Sequence, residues 1–335
     1  MLPRCAHVTY RSVLRQGIFP RKFDNLSKIH PLERGFMLPF REPALEDREA
    51  VEKCAAAYNY PLCEHCFVDV FIWQGHYHTR ICFYEGFLLI KMTPADGTHD
   101  IYLAPIGEGD LRNAIEALQA DAMEQGIPFL MVSIAEDMLL RLEEAMPNAF
   151  AYSWSEDGAD YIYLSEKLQT LSGKKLQSKR NLVNRFKANY DGRWAYEDLT
   201  EENIHEVFDF HMKWIDDNHH LYESDFLGET CAISLALRNF TPLGLRGGIL
   251  RLDGKIIAFT LGKQSTPDMF VMQIEKADHT IPGAYQMINQ QFALHNCKGV
   301  TYINREEDLG IDGLRQAKRS YQPVMLAKKY TAVPK

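Results

Sequence analysis

The sequence predicts a mixed α/β protein in which one structural unit occurs twice. The chain has 335 residues, of which 46% are hydrophobic and 24% charged, as in ordinary globular proteins. That length suits two domains of roughly 150 residues each. Strand-like and helix-like segments then recur along the chain at a fixed offset, with residue 80 aligned to residue 251, as expected of an internal duplication.

Each repeat opens with a strand, a turn and a second strand. The segment 80–91 (RICFYEGFLLIK) aligns with 251–262 (RLDGKIIAFTLG). A third strand follows at 100–105 (DIYLAP) in one half and at 269–274 (MFVMQI) in the other. We therefore expect neighbouring antiparallel strands at the start of each unit.

A long helix comes next in each half, with turn residues at its start. Gly109 and Asp110 precede the first helix, where a side-chain oxygen can accept a hydrogen bond from a free backbone N–H. Pro282 and Gly283 open the equivalent helix of the second half. The two helices therefore occupy the same place in the predicted unit.

Each half then runs from a buried strand into acidic residues. The segments are 129–137 (FLMVSIAED) and 300–308 (VTYINREED), so Asp137 and Asp308 share the repeat offset. A further helix and a closing strand complete each unit, with YIYLSE as the closing strand in the first half and PVMLAKKY in the second. This order of elements predicts a mixed sheet rather than a series of parallel crossovers.

Domain boundaries follow from the repeat. Residues 1–27 carry positive charge but no apolar core of a signal peptide, so we expect a ragged or disordered extension there. Residues 28–165 then form the first domain. Residues 166–335 form the second, which we expect to carry the active site.

Bulk composition excludes several classes of protein. The formal net charge of −8 argues against a wholly basic surface for nucleic acid, although local basic patches are compatible with it. No apolar run approaches the ~20 residues of a membrane helix, so no integral membrane segment is expected. Seven cysteines in this chain favour a reducing cytoplasm over a disulfide framework.

Five residues between positions 63 and 82 have the ligand types of a zinc site. They are Cys63, Cys66, His76, His78 and Cys82. The segment that contains them is typical of strands, however, and a free cysteine among aromatic side chains behaves as a small hydrophobic residue. We therefore favour structural roles for all five and expect no metal.

A basic amphipathic helix is predicted over 177–190 (QSKRNLVNRFKANY), where apolar residues recur at every fourth position. Its cations either form a solvated surface or contact phosphate groups. The second interpretation makes Lys179, Arg180 and Asn181 substrate-binding residues. Asn181 favours it, because an uncharged side chain is explained less well by solvation alone.

The segment 304–321 (NREEDLGIDGLRQAKRSY) joins a buried strand end, acidic residues, two glycines and a basic helix. Open α/β sheets bind their ligands at such strand ends. One interpretation is a salt-bridged turn, in which Asp308 pairs with Arg315 or Lys318. The other makes Asp308 a general base or clamp, with Arg315 and Lys318 holding phosphate or carboxylate. The two are compatible, because the same ion pairs can hold the wall of a cleft.

Other polar residues lie at strand and helix ends. Glu275 ends the strand MFVMQIEKAD and is a second candidate carboxylate, beside Asn304 at the end of the next strand. His219, His220 and Tyr222 lie near a predicted helix end. A histidine pair in such a place is more often surface than site.

Two motifs resemble the catalytic C-terminal domain of phosphatidylglycerol lysyltransferases. One is 172–186 (SGKKLQSKRNLVNRF) and the other is 304–323 (NREEDLGIDGLRQAKRSYQP). The second is the more specific, and its family-like residues are Asn304, Asp308, Gly310, Gly313, Leu314, Arg315, Lys318, Tyr321 and Pro323. The duplicated unit also resembles the GNAT acyltransferase fold. This resemblance implies two tandem GNAT-like domains and covers nearly the whole chain.

In that family the domain transfers an amino acid from charged tRNA to a lipid hydroxyl, and the related Fem-type enzymes modify a cell-wall precursor. The resemblance implies a transferase that moves an activated aminoacyl or acyl group onto an amine or hydroxyl. Charged tRNA would be the donor, a phospholipid or a small amine the acceptor, and no separate cofactor is needed. The candidate catalytic residues are Asp308, Asn304 and Glu275, and the candidate substrate-binding residues are Lys179, Arg180, Asn181, Gly283, Arg315, Lys318 and Tyr321.

Acyl-CoA is the alternative donor. Acetyl-CoA-dependent GNAT enzymes cradle pyrophosphate in a glycine-rich turn at a helix N-terminus. Here HTIPGAYQM keeps only Gly283, while PIGEGDLRN places Glu108 and Asp110 where phosphate would sit. The sequence therefore disfavours CoA binding, most strongly in the first half, which we expect to be a structural or recognition domain. A non-catalytic module that binds RNA or an anionic lipid is the other alternative.

Overall fold

The computed structural model describes residues 37–57, 61–94, 97, 99–218 and 226–335. This part of the chain forms two compact units. The N unit contains the residues up to Ala159 together with Ala327–Lys335, and the C unit contains Asp160–Leu326. The extension predicted at residues 1–27 and the side chains of His219, His220 and Tyr222 lie outside the described residues.

The described residues form both strands and helices. The strands are β1 (Arg80–Tyr84), β2 (Phe87–Met92), β3 (Ile101–Leu103), β4 (Ile106–Gly107), β5 (Met131–Ile134), β6 (Phe150–Trp154), β7 (Asp160–Leu164), β8 (Trp194–Asp198), β9 (Arg246–Leu252), β10 (Lys255–Gln264), β11 (Met269–Ala277), β12 (Tyr302–Asn304), β13 (Met325–Ala327) and β14 (Tyr330–Pro334). The helices are α1 (Arg48–Ala56), α2 (Phe67–Ile72), α3 (Gln74–Tyr77), α4 (Leu111–Glu124), α5 (Glu136–Ala145), α6 (Ser165–Thr170), α7 (Gln177–Asn189), α8 (Ile204–Asn218), α9 (Phe226–Arg238), α10 (Phe240–Leu243), α11 (Ala284–Asn296) and α12 (Asp312–Arg319). None of these described helices is both long and apolar enough to cross a lipid bilayer.

The N unit has the mixed sheet that the sequence predicts. Its strand order is β1-β2-β3-β5-β14-β6, and β4 pairs with β2. Strands β3 and β5 are parallel, whereas β1 with β2 and β14 with both of its neighbours are antiparallel. Helix α4 begins as predicted, because the Asp110 side chain accepts a 3.1 Å hydrogen bond from the backbone N–H of Asn113.

The C unit is a second mixed sheet, with strand order β13-β7-β12-β11-β10-β9-β8. Helix α11 begins after Gly283, as predicted, and lies on this sheet. Its Met287 and Phe292 share one buried apolar cluster with Phe270 and Met272 of β11. Burial of such side chains is the main source of stability for the unit. This packing fixes the start of α11 beside the end of β11.

Helix α8 packs on another part of the C unit sheet. Trp214 donates from its indole nitrogen to the carbonyl oxygen of Ala277 at 2.9 Å. His211 is completely buried, with its ring 6.4 Å from that of Phe259. In the described part of the chain neither of its ring nitrogens has a hydrogen-bond partner. Burial, with a smaller effect from Lys276, lowers the pKa of His211 to about 3.

Both predicted hairpins are confirmed. Strand β1 pairs with β2 and β9 with β10, each antiparallel. The turns are Glu85-Gly86, with φ of 45° and 87°, and Asp253-Gly254, with φ of 51° and 78°. Two consecutive positive φ values suit a tight hairpin between twisted strands. The fixed sequence offset aligns Glu85 with position 256 rather than with Asp253, so the repeat is out of step at this turn.

The prediction of strands around the first cysteines is wrong for residues 67–77, which form the helices α2 and α3. Every residue of α2 is buried. A short run that is apolar on all sides does not distinguish a buried strand from a buried helix. Cys63, Cys66 and Cys82 are buried, whereas His78 is exposed and adopts a left-handed backbone conformation with φ of 45°.

The prediction that YIYLSE closes the first unit is wrong. Strand β7 pairs with β12, so YIYLSE belongs to the sheet of the C unit. The other predicted closing strand, PVMLAKKY, contains β13 and does lie in the C unit sheet. Strand β14 was not predicted, and it lies between β5 and β6 in the sheet of the N unit. The repeat shows that closing strands exist. It does not show their partners, because pairing is decided by contacts between residues distant in sequence.

Candidate active site

The C unit sheet opens between two parallel strands. Strand β11 pairs with β12 only from Met269 to Val271, opposite Tyr302 to Asn304. Beyond Asn304 the chain continues to hydrogen bond with Tyr161 of β7, at 3.0 and 3.1 Å. Strand β11 meanwhile continues to Ala277 without that partner. We call the opening between residues 272–277 and residues 305–307 the strand gap.

Glu275 lies in the strand gap, and both of its carboxylate oxygens are engaged. Its Oε1 accepts a hydrogen bond from Nη2 of Arg305 at 2.9 Å. Its Oε2 accepts one from Nδ2 of Asn289, on α11, at 2.8 Å. Glu275 therefore connects the three elements that border the gap. Asn289 is completely buried, and its Oδ1 has no hydrogen-bond partner within the described ranges.

Arg305 spans the strand gap from the other side. Its guanidinium lies 4.8 Å from the ring centroid of Tyr321 and 5.6 Å from that of Tyr163. Burial acts to lower the pKa of Arg305, but Glu275 and the two phenols outweigh it and raise the pKa above its ordinary value. The side chain is therefore a fixed cation. Among the described residues its buried Nη1 has no hydrogen-bond partner, which leaves a donor available in the gap.

Lys179 approaches the same aromatic ring from α7. Its Nζ lies 4.6 Å from the ring centroid of Tyr321. Among the described residues no carboxylate forms an ion pair with it, and no hydrogen bond is formed by its ammonium group. Burial, and then the positive charge of Arg305, lower the pKa of Lys179. The strand gap therefore contains two neighbouring basic side chains, and in the part of the chain that the structure describes only Arg305 has a counter-ion.

The acidic turn after β12 is saturated with hydrogen bonds. Asp308 is completely buried and accepts from Nε and Nη2 of Arg315, each at 2.7 Å, from the hydroxyl of Tyr161 at 2.5 Å and from the N–H of Gly310 at 2.9 Å. Burial acts to raise the pKa of Asp308, but these bonds outweigh it and hold the pKa below its ordinary value. The contacts of Asp308 are thus those of a carboxylate that fixes the turn.

Asn304 and Lys318 hold the same turn. The side chain of Asn304 donates to Asp160 at 2.8 Å and accepts from the N–H of Glu306 at 2.6 Å. Lys318 is buried, and its ammonium group donates to three consecutive carbonyl oxygens, those of residues 305, 306 (3.0 Å) and 307 (2.5 Å). Together these contacts fix the backbone that carries Arg305.

The remaining predicted binding residues lie along α7 and α11. Arg180 donates to the carbonyl oxygens of Leu171 at 2.6 Å and Gly173 at 3.3 Å, so it caps the end of α6. Asn181 is exposed. Gly283 has φ of 92°, and a Cβ there would lie 3.0 Å from the carbonyl oxygen of Leu182. Gly283 therefore permits close packing of α11 on α7.

The strand gap brings together predicted and unpredicted residues. Lys179, Glu275 and Tyr321 meet there, whereas Asp308, Asn304 and Lys318 support its wall. Sequence reasoning missed Arg305, although this residue belongs to the segment 304–321. It also missed Asn289, which lies in the middle of the largely apolar helix α11. It also missed Tyr161 and Tyr163, whose alternation along YIYL places both side chains on one face of β7.

Residues 56–333 match the family described as phosphatidylglycerol lysyltransferase, C-terminal. The chain belongs to this family. The match confirms the resemblance carried by the two basic and acidic motifs. The family is one of transferases, and the matched residues span both sheets. A protein of Mycoplasmoides gallisepticum is 29% identical over 184 residues, which are 52% of this chain and 56% of that relative.

Solved structures share the fold. A conserved protein of unknown function from Bacteroides thetaiotaomicron is 39% identical, with a TM-score of 0.84 over 89% of this chain and 100% of that one. The C-terminal domain of a protein named as a lysylphosphatidylglycerol synthetase, from Agrobacterium fabrum, has a TM-score of 0.59 at 16% identity over 85% of this chain and 92% of its own. FemX has a TM-score of 0.54 at 10% identity, over 87% and 96% respectively. The predicted fold, two tandem GNAT-like units, is confirmed.

Proposed function

We propose that this chain takes an amino acid from charged tRNA and transfers it to an amine or hydroxyl acceptor at the strand gap. One observation carries the proposal. Arg305 offers a buried Nη1 donor without a protein acceptor, and Lys179 lies beside it without a carboxylate partner among the described residues. The Arg305 donor suits an oxygen atom that becomes negatively charged during reaction, and Lys179 lies beside it.

The chemistry needs little covalent assistance from the protein. The amino acid is joined to the tRNA ribose by an ester, which is already activated toward attack. The acceptor oxygen or nitrogen forms a bond to the carbonyl carbon, whose oxygen takes up negative charge near Arg305. The bond to the ribose oxygen then breaks, and that oxygen leaves with a proton. Positioning of the two substrates therefore accounts for much of the rate.

Charged tRNA is preferred to acyl-CoA as the donor because of the start of α11. An N-terminal pyrophosphate cradle needs backbone that a ligand can approach. Gly283 is instead packed against Leu182 and Phe186 of α7, where even a Cβ would lie within 3.2 Å of both. Acyl-CoA remains the second candidate donor. A tRNA donor also implies that the protein acts in the cytoplasm.

The family description supports a lipid hydroxyl, such as that of phosphatidylglycerol, as one acceptor. A small amine is the other acceptor class that the proposed chemistry allows. Both can be offered to the protein in the same assay, as phosphatidylglycerol vesicles in one arm and a soluble primary amine in the other.

The test is transfer of a radiolabelled amino acid from a mixture of charged tRNAs to either acceptor. We expect Arg305→Met to lower the initial rate by about 100-fold or more, the effect of removing one oxyanion donor. Arg185→Met is the matched control, because Arg185 is an exposed arginine of the same unit. Transfer from acetyl-CoA but not from tRNA would replace the donor. Binding of tRNA with no transfer to any acceptor would favour the non-catalytic alternative.

A further inference from the structure

Lys179 differs from the other lysines near the start of α7. Lys174 and Lys175 are exposed, whereas Lys179 is half-buried and lies against the ring of Tyr321. The same ring is approached by Arg305 at 4.8 Å. Lys179 therefore keeps an amine near the strand gap in surroundings that disfavour a second positive charge.

The charged and titratable groups around Lys179 come from four elements of the C unit. Arg305 follows β12, Tyr321 follows α12, Glu275 lies on β11 and Tyr163 on β7. Glu275 is bound to Arg305 and Asn289 and so does not offset the charge of Lys179. Burial raises the pKa of both phenols, which therefore stay neutral near pH 7. The remaining electrostatic effect on Lys179 is repulsion by Arg305.

The carboxylates that the sequence nominated as bases are already occupied. Asp308 accepts four hydrogen bonds, and each oxygen of Glu275 accepts one from a fixed side chain. Taking a proton from a substrate would break one of these bonds and leave a buried donor without its acceptor. The amine of Lys179 makes no such bond among the described residues.

We infer that Lys179 is the proton acceptor in the transfer reaction, an inference that rests on the proposed function. The neutral amine of Lys179 takes the proton from the acceptor, which is a hydroxyl or an uncharged amine, as the new bond to the carbonyl carbon forms. The resulting ammonium group returns that proton to the ribose oxygen as the ester bond breaks. No proton is gained or lost overall, and no oxidant, metal or other co-reactant is needed.

The first experiment measures the proton affinity of Lys179 directly and needs no substrate. Trace acetic anhydride labels neutral amines in the folded protein, and peptide mass spectrometry gives the extent of labelling at each lysine between pH 6 and 11. We expect the labelling midpoint of Lys179 to lie below that of Lys187, the internal reference on the same helix. A midpoint equal to or above the reference would overturn the inference and leave the proposed function untouched.

The second experiment separates a proton acceptor from a fixed positive charge. Lys179→Arg keeps the charge but cannot accept a proton near pH 8, and we expect it to lower transfer by about 100-fold. Binding of charged tRNA should change by less than threefold. The wild-type rate should rise with pH as Lys179 loses its proton, and this rise should be absent in Lys179→Arg. Lys187→Arg serves as the control. Full activity of Lys179→Arg would refute the assignment, whereas an inactive wild-type protein would refute the proposed function.

Discussion

The acidic turn and the strand gap lie next to each other in the C unit, yet they differ in whether their buried polar atoms have hydrogen-bond partners. In the turn, Asp308 accepts four hydrogen bonds and Lys318 donates three, so both buried charges are hydrogen-bonded. In the gap, Nη1 of Arg305 and Oδ1 of Asn289 are buried without partners, and Lys179 has no counter-ion among the described residues. Both regions are rich in charge, but only one is complete without a ligand.

This difference distinguishes residues that stabilise the fold from residues that act on a ligand. A compensated charge stabilises the fold and is costly to remove, whereas an uncompensated one lowers stability and is explained by a ligand that completes it. The sequence showed the charges of both regions with equal strength. Substitutions can test the distinction, because residues of the turn should affect stability first and residues of the gap activity first.

Asp308→Asn should give the largest change in stability. The substitution removes the buried carboxylate that pairs with Arg315, and breaking a buried ion pair typically costs about 3–5 kcal/mol. Urea unfolding of the purified protein measures the effect. Asp312→Asn, at the exposed first residue of α12, is the control and should cost less than about 0.5 kcal/mol. A stable but inactive Asp308→Asn protein would instead show that Asp308 takes part in the reaction.

Gly283→Ala should cost about 2 kcal/mol. Alanine would be strained at φ of 92°, and its Cβ would press on the carbonyl oxygen of Leu182 at 3.0 Å. Gly192→Ala is a useful control, because Gly192 also has positive φ (68°) but no neighbour within 4 Å. The excess loss of stability over this control measures the packing of α11 on α7. Equal losses for the two variants would show that the close contact contributes nothing.

His211→Phe tests whether a polar side chain without a partner always marks a ligand. His211 is buried in the apolar core, and its pKa is lowered to about 3 from an unfolded value near 6.5. The unfolded chain therefore binds a proton that the folded protein excludes, so stability falls as the pH drops below 6.5. Between pH 7 and pH 5 this histidine accounts for a loss of about 2 kcal/mol.

We expect His211→Phe to remove that loss and to raise stability at pH 5, as measured by thermal unfolding at both pH values. His295→Phe, at an exposed position on α11, is the comparison. An unchanged pH dependence in His211→Phe would mean that His211 is protonated in the folded protein, and hence has a partner.

Lys179→Met should give the smallest effect on stability, and one of opposite sign. Removing a half-buried ammonium group beside Arg305 relieves repulsion and burial cost, so stability should rise by up to about 1 kcal/mol while transfer is lost. Lys175→Met, at an exposed position, should leave both properties unchanged. A marked loss of stability in Lys179→Met would show that Lys179 stabilises the fold, as the residues of the acidic turn do.

Local features of the fold could be predicted from sequence because they depend on neighbouring residues. The caps at Asp110 and Gly283, the two hairpins and the basic helix α7 all follow from short patterns. The strand partners did not all follow, since β7 lies in the sheet of the C unit and β14, which was not predicted, in that of the N unit. Residues 67–72 failed for another reason: a helix buried on every side has no polar face to reveal its period.

The candidate site was predicted in outline and not in its division of roles. The sequence nominated Asp308, Glu275 and Lys179 as site residues, and the structure brings Glu275 and Lys179 to the strand gap. It could not show that Asp308 is saturated by Arg315 and Tyr161, because Tyr161 lies 147 positions away. Arg305 was overlooked since an arginine among carboxylates suggests a surface salt bridge. Its burial depends on two tyrosines distant in the chain.

The place of β14 has a consequence for synthesis of the protein. Strand β14, at 330–334, lies between β5 and β6, so the sheet of the N unit stays incomplete until the whole C unit has been translated. Truncation of the last ten or so residues should leave the edges of β5 and β6 open to pairing with other chains.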